Sequence, residues 1–358
     1  DALYEKGYSA AEVYKGLKKN GTIKSKSLKP AKKPLTKVEA EHFPAEMVSK
    51  MAKKNTMLAV DYVNSHCDDG NITEFLSSGI GAGATPSGTF TYKKVKSGEG
   101  CQLGISCFAS TGEVIGAELT VPMFAAFDDE QDKAQAIRSF CHEYTHYLDL
   151  LSRDGLKRGC FSEKFKELSD LVGAEKEIKI SDDVRKIFDE YNGKVKELTE
   201  KYKTKKDNAW KKTVEEMFPE GKPDWIDHDG GLNYSGSYWK HTEEAYKYIK
   251  EKRKLEKSVE EERKKKARGL MNGVSTLQGI YDSLYGGKCR DKKITIYGHS
   301  LAYFRNSGEK NIEMLADYVA LKATNPKLVQ MFIDDKPDIA KAMDHALEEM
   351  TKKMRGGK

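Results

Sequence analysis

Apolar side chains recur at helical spacing in several parts of the chain, most regularly between residues 137 and 151. The members of this stripe, separated in turn by four and three residues, are Ile137, Cys141, Tyr144, Leu148 and Leu151. Such steps keep side chains on one face of an α-helix, so the stripe predicts a helix packed against a core. Asp128 and Gln131 precede it at the spacing of a capping box, which places the predicted start of the helix near Asp128.

The region before this helix has a different pattern, in which Val, Ile, Thr and Phe are frequent and Gly and Ser separate the runs. The pattern predicts three strands, over Thr89–Val95, Gln102–Phe108 and Glu113–Met123. A further strand-like run covers Lys293–Tyr297. Pro122 cannot donate to a ladder, which favours an edge or the end of the third strand. An edge at Val114–Val121 would bind a substrate peptide as an added strand, although an ordinary sheet strand has the same pattern.

Two long, highly charged helical patterns, Asp182–Lys212 and His241–Arg268, lie on either side of a turn-rich segment, Pro219–Ser237. Two long helices separated by a turn predict an antiparallel helical arm inserted into the rest of the chain. We therefore divide the chain into four parts. They are a basic tether (1–44), a part with the sheet and the stripe-bearing helix (45–160), the helical arm (161–268) and a C-terminal part with the predicted third ligand (269–358). The fold class predicted is α+β, a small mixed sheet with helices and a long helical insertion.

Charge, hydropathy and cysteine content limit the classes of protein to which the chain can belong. The chain has 62 basic and 56 acidic residues, and its whole excess of +6 lies within residues 1–40, so the remainder is neutral. A neutral body argues against nucleic-acid binding, and the basic run Arg263–Arg268 is most simply a solvated helix face. No apolar run reaches the roughly 18 to 20 residues that a membrane span needs. Six cysteines without a C-x-x-C pair favour reduced thiols in an intracellular or virion-associated protein, with a secreted effector as the alternative.

The stripe-bearing helix contains the sequence His142-Glu143-Tyr144-Thr145-His146. Histidines four residues apart lie one above the other on a helix, so both imidazoles can bind one tetrahedral zinc ion at about 2.0 to 2.1 Å. Glu143 lies about 100° further round the helix, where it can reach a water that the metal activates and act as a general base. The alternative is a chance match, which eight histidines in 358 residues make rare.

A catalytic zinc site needs a third protein ligand in addition to two histidines. Glu313 is the best candidate, on a predicted helix over Asn311–Ala323. Asp317 follows one turn later and would accept a hydrogen bond from the ring N–H of a ligand histidine. Asp149, three residues after His146, is expected to orient or cap rather than to bind the metal. The competing interpretation of Glu313 and Asp317 is a helix with two surface acids.

H-E-x-x-H followed at a distance by E-x-x-x-D on a helix resembles the gluzincin metallopeptidases. The resemblance covers about a tenth of the chain. It implies that His142, His146 and Glu313 are the zinc ligands. It also implies that Glu143 is the general base and that Asp317 supports a ligand histidine. Residues 294–350 are more loosely similar to zincin-like domains of phage head-gene products and of lethal-factor-like toxins. In those domains a tyrosine upstream of the glutamate faces the zinc, and here Tyr297 and Tyr303 are both candidates.

These features predict a zinc-dependent endopeptidase that acts on a protein or peptide substrate. Glu143 would take a proton from the attacking water and pass it to the leaving amine. His299, Tyr297 or Tyr303 would help the zinc ion to stabilise the oxyanion. The alternative is a zinc-stabilised structural or interaction protein, a virion component or toxin-type effector, in which the arm binds a protein partner. Glu143 favours the enzyme, because a structural zinc site needs no base.

Overall fold

The computed structural model describes residues 45–81, 90–96, 101–107, 110, 114–124, 127, 130–152, 160–233, 240–307 and 309–356. The predicted tether, residues 1–44, and the predicted capping residue Asp128 lie outside the described residues. The described part has an α+β fold in which helices predominate over a small sheet.

Most of the described residues belong to helices, and their bounds follow in chain order. They are α1 (Ala45–His66), α2 (Gly70–Gly81), α3 (Glu130–Leu151), α4 (Phe161–Lys164), α5 (Lys166–Ala174), α6 (Asp182–Met217), α7 (Thr242–Gly269), α8 (Val274–Leu284), α9 (Lys288–Asp291), α10 (Leu301–Ser307), α11 (Lys310–Thr324), α12 (Pro326–Asp335) and α13 (Pro337–Gly356). Among these helices none combines the length and the hydropathy that crossing a bilayer requires.

The sheet contains three strands, β1 (Phe90–Lys96), β2 (Gln102–Cys107) and β3 (Val114–Pro122). Their order is β1-β3-β2, with β1 parallel and β2 antiparallel to β3, so the sheet is mixed. The expectation of a free edge at Val114–Val121 is therefore wrong, because both sides of β3 are paired. Pro122 is the last residue of β3, opposite Lys96, where a missing N–H costs little. Within the described residues, β2 has a strand on one side only.

The strand expected at Lys293–Tyr297 is absent, and these residues form turns instead. The backbone N–H groups of Ile296 and Tyr297 donate to Oε1 of Gln278 on α8, at 3.1 and 3.2 Å. A side-chain amide thus takes the place of a partner strand. The run of β-branched residues misled the prediction because a strand needs a neighbour to pair with, and here a helix lies alongside.

The helix α11 is buried on almost every side and packs most extensively against α3 and α8. Its fully buried apolar residues include Met314, Leu315, Tyr318, Val319 and Leu321. Burying one such side chain contributes roughly 1.5 to 3 kcal/mol, so this helix is fixed firmly against α3. The packing holds the acids near the start of α11 opposite the histidines of α3.

Residues 189–271 form a separate compact unit, the helical arm, which contains most of α6 and all of α7. Its helices are antiparallel, because Tyr191 bonds to Ala267 while Trp210 bonds to Tyr248. The unit is shorter than the expected arm, 161–268. Residues 161–188 belong to the other unit, where Phe188 packs edge-on against Tyr281 at 5.6 Å. The charge pattern of α6 has no break at this point, so the sequence does not mark the boundary.

Candidate metal centre

The two histidines of the motif lie on the part of α3 that faces away from the deepest core. Tyr144 and Leu148, on the apolar stripe, are fully buried, whereas His142 and His146 are only partly covered. The Nε2 atoms of the two histidines are 3.1 Å apart, and their rings are nearly perpendicular at 89°. The stripe therefore fixes the helix, and the four-residue spacing brings both imidazoles to one point.

Glu313 of α11 completes a triangle of donor atoms. Its Oε2 lies 3.5 Å from Nε2 of His142 and 3.6 Å from Nε2 of His146. A tetrahedral ion with bonds of about 2.0 to 2.1 Å separates its ligands by about 3.3 to 3.4 Å, close to the spacing of this triangle. In the described part of the chain, these three residues form the one group of donors within mutual reach of a metal ion. The group is able to bind a metal ion.

Asp317 orients the first of these histidines. Its Oδ1 lies 2.9 Å from Nδ1 of His142. In the neutral ring, a proton on Nδ1 donates to this carboxylate and leaves the lone pair on Nε2, the nitrogen that faces the other donors. Burial by itself lowers the pKa of His142, but the carboxylates of Asp317 and Glu313 outweigh it and raise this pKa well above its ordinary value. The expected contact between Asp317 and His142 is present, and the role of Asp317 behind a metal ligand stays a prediction.

The carboxylate of Glu313 is buried, with its side chain 9% exposed, and each oxygen has its own partners. Tyr303 donates to Oε1 at 2.6 Å, while Nε2 of His299 lies 3.2 Å from Oε2. Burial by itself raises the pKa of Glu313. Hydrogen bonds from His142, His146 and His299 outweigh burial and hold this pKa well below its ordinary value. The carboxylate is therefore ionised, as a metal ligand must be.

His299 and Tyr303 stack on each other beside this group of donors, with ring centroids 4.0 Å apart. The hydrogen bond to Glu313 raises the pKa of His299. Tyr303 also contacts Glu309, at 2.7 Å. Of the three expected donors, the structure thus brings the side chains of His299 and Tyr303 to Glu313. Tyr297 lies in the preceding turn, which its backbone N–H attaches to α8.

A pair of buried side chains on α8 supports the turn that carries His299. Gln278 accepts the two backbone N–H groups described above, and Asp282, four residues later, accepts the backbone N–H of Arg290 at 2.8 Å. Gly298 has a positive φ of 119°, and a Cβ at this position would overlap the Asp282 carboxylate. Glycine is therefore required in the turn. Sequence reasoning missed both supporting residues, and the only signal was their four-residue spacing.

Asp149 lies outside the group of metal donors. It is 1% exposed and accepts hydrogen bonds from the backbone N–H of Ser162, at 2.8 Å, and from the Ser162 hydroxyl. Burial raises the pKa of Asp149 to about 6. The side chain joins the end of α3 to the start of α4, which is a capping role.

Glu143 is beside the donors but not among them. Its Oε2 accepts the backbone N–H of Leu103, in β2, at 3.0 Å. The same carboxylate borders a cleft of about 200 Å³, which His142 and Asp317 also line. The structure thus adds Leu103 to the site, a residue that no local sequence pattern indicates because the contact joins elements 40 positions apart.

No protein-family model, curated protein or solved structure matches this chain.

Proposed function

We propose that the protein is a zinc-dependent metalloendopeptidase with a zincin-like domain of the gluzincin type. One observation carries the proposal. Two histidines of one helix and a glutamate of another lie at the spacing of a tetrahedral site, with Glu143 next to this group but engaged elsewhere. Three ligands leave one position open, and a base beside an open position serves hydrolysis rather than structure.

Zinc is the ion that fits these donors best. Two imidazole nitrogens and one carboxylate oxygen are a ligand set of catalytic zinc, and Asp317 supplies the carboxylate that such sites place behind a ligand histidine. His142, His146 and Glu313 would hold the ion. When bound, zinc supplies a Lewis acid and lowers the pKa of a water in the open position towards 7.

Glu143 takes the proton from the attacking water and delivers it to the amine that leaves. The hydrogen bond from Leu103 holds the carboxylate in one orientation before substrate arrives. Positioning a base in this way contributes to the rate because little reorganisation remains when the reaction begins.

The side of β2 that has no neighbouring strand among the described residues is the proposed binding surface for the substrate backbone. Leu103 directs its N–H away from β3 and towards Glu143. In a strand, alternate residues direct their backbone groups to the same side, so Ile105 presents its N–H and C=O there as well. A peptide added along this edge would run past the general base. The side chain of Ile105 is 47% exposed and is available to contact such a peptide.

His299 is the proposed donor to the oxyanion. Tyr303 has a single hydroxyl proton and already donates towards the carboxylates of Glu313 and Glu309. Nε2 of His299 lies instead 3.2 Å from Oε2 of Glu313, the oxygen that also faces His142, so an ion bound to Oε2 would replace this contact and leave the ring N–H able to donate. Its position next to a metal ligand keeps this donor close to the reacting carbonyl.

The test compares wild type with Glu143→Gln, both loaded with zinc, on denatured casein and on a degenerate library of quenched fluorescent peptides. We expect Glu143→Gln to keep its zinc and to cleave about 10²- to 10⁴-fold more slowly, because the zinc ligands are unchanged and the general base is removed. Cleavage that survives the substitution would refute the mechanism. Zinc binding without cleavage by wild type would favour the structural or interaction protein instead.

A further inference from the structure

The cleft that Glu143 borders is formed by residues of α3, α8 and α11, and it reaches the start of β2. Cys101, the residue before β2, lines the cleft together with Glu143. Leu103, two residues further along the chain, donates its backbone N–H to the same Glu143 carboxylate. A peptide that pairs with this side of β2 would therefore pass the cleft, with a side chain within reach of it.

The charged side chains in the lining of the cleft already have partners. Asp317 contacts Nδ1 of His142, and Glu143 accepts the backbone N–H described above. Arg138 is 2% exposed and donates from Nε to Oγ1 of Thr324 at 2.9 Å, so it forms part of the wall. Apart from the metal donors, the polar groups that remain for a ligand are therefore uncharged.

Three uncharged polar side chains in the lining have hydrogen-bonding capacity left. Ser139 of α3 and Thr276 of α8 are partly exposed, and in the described part of the chain neither hydroxyl has a hydrogen-bond partner. Oε1 of Gln135 accepts from Nη1 of Arg138 at 3.4 Å. Because an arginine side chain only donates, the oxygen of this carboxamide faces Arg138, and its NH₂ group is left for another acceptor.

These three groups match a carboxamide. A hydroxyl both donates and accepts, whereas the NH₂ group of Gln135 only donates. A carboxamide has two donors and an accepting oxygen, so it can use all three groups, which an aliphatic side chain would leave unpaired. The cleft has a volume of about 200 Å³, as much as about six or seven water molecules occupy in the liquid, and this volume accommodates an Asn or Gln side chain.

We infer, resting on the proposed function, that this cleft binds a carboxamide side chain of the substrate and that the enzyme prefers Asn or Gln near the scissile bond. Ser139 lies three residues before His142, about 4.5 Å along the helix axis. An extended peptide advances about 3.3 Å per residue, so the selected side chain belongs within about two residues of the scissile bond. Ser139, Thr276 and Gln135 are the residues that determine this specificity.

The experiment measures peptide binding rather than turnover, using the zinc-loaded Glu143→Gln protein. The probes are fluorescein-labelled peptides in pairs of similar size, Gln against Met and Asn against Leu, with the varied position moved along the peptide from set to set. Fluorescence anisotropy gives each Kd. At the best position we expect the carboxamide peptide to bind about 10-fold more tightly than its aliphatic counterpart, because it makes hydrogen bonds that Met and Leu lack.

In the same protein, Ser139→Ala combined with Thr276→Val removes both hydroxyls. The ratio of the two Kd values should then fall about threefold or more, because only the NH₂ group of Gln135 remains. Ser275→Ala, which removes the neighbouring hydroxyl of α8 outside the lining of the cleft, is the matched control and should keep the ratio. A purely structural role for the two hydroxyls would weaken the binding of both peptides equally and would overturn the assignment.

The binding ratio of the Glu143→Gln protein decides the question even if the double variant does not fold. Equal affinity for carboxamide and aliphatic peptides, no binding of either, or equally tight binding of a Glu or Lys peptide would overturn the inference. Cleavage by wild type without a carboxamide preference would overturn it too, while leaving the proteolytic function intact. Carboxamide-selective binding by a protein that cleaves no peptide would support the selectivity of the cleft and refute the proteolysis.

Discussion

The metal centre and the helical arm are both rich in charged side chains, but they arrange them in opposite ways. In the arm, ion pairs such as Glu190–Lys194 join neighbours on one helix, and both side chains are about half exposed, at 51% and 45%. In the metal centre, the carboxylate of Glu313 is 9% exposed and lies within 3.6 Å of two histidines on another helix.

The difference shows what separates a functional cluster from a solvated face. An exposed pair on one helix contributes about 0.3 to 0.5 kcal/mol and needs no further partner. A buried carboxylate loses its hydration and requires a compensating cation nearby. The density of charged residues therefore does not identify a site, whereas convergence of buried donors from distant parts of the chain marks a candidate metal site.

The largest expected effect is in the arm and should leave the metal centre untouched. Trp225 is 1% exposed and packs edge-on against Phe218 and Tyr248, at 5.5 and 5.8 Å between ring centroids. Trp225→Ala should destabilise the arm by about 3 to 5 kcal/mol, because it leaves a cavity. Hydrogen exchange of amides in residues 189–271 measures the loss.

The matched control is Tyr246→Ala, on the same helix as Tyr248 but 73% exposed, which should change protection little. Zinc content should be the same in both variants. Loss of zinc from Trp225→Ala would show that the arm and the metal centre are not independent.

The turn that carries His299 offers a second effect. Gly298→Ala forces a Cβ into the Asp282 carboxylate at a positive φ, a strain of about 1 to 3 kcal/mol. We expect retained zinc and a lower kcat, because the donor to the oxyanion is displaced. Gly193→Ala, in an open position of α6, is the control and should stabilise slightly. Unchanged kcat in Gly298→Ala would remove His299 from the mechanism.

Asp317→Asn tests whether the carboxylate that contacts His142 strengthens zinc binding. Asparagine can still accept from Nδ1 of His142 but lacks the negative charge that makes the imidazole a better ligand. Zinc affinity should fall about 10- to 100-fold, as competition with a fluorescent chelator would measure. Asp334→Asn, at an exposed position of α12, should leave the affinity unchanged. Equal zinc affinities in the two variants would show that Asp317 does not support zinc binding.

The smallest effect is expected for the exposed pairs of the arm. Glu190→Gln breaks the pair with Lys194 and should cost about 0.3 to 0.5 kcal/mol in thermal denaturation, with no change in zinc content. A larger loss of stability would mean that the arm relies on its surface charges more than the comparison implies.

Local patterns in the sequence predicted the donors that the structure brings together, and only tertiary packing could provide the rest of the site. The spacing is four residues between His142 and His146 and again between Glu313 and Asp317, so each pair lies on one face of its helix. The contacts Leu103–Glu143 and Arg138–Thr324 join elements 40 and 186 positions apart, so no periodicity reveals them.

The same limit applies to the fold. The three strands of the sheet were predicted to within one residue at each end, but their order was not, so an edge was assigned to β3, which has a strand on both sides. The helix α8 was not predicted. Gln278 and Asp282 are polar yet fully buried, so polar and apolar residues do not separate onto two faces of this helix.

The most direct test of the central claim is the zinc content of wild type and Glu313→Ala, measured side by side by inductively coupled plasma analysis after dialysis against a weak chelator. The account predicts about one zinc ion per chain in wild type and a strongly reduced content in Glu313→Ala, because two histidines alone hold zinc weakly. Equal zinc in both proteins, or none in wild type, would contradict it.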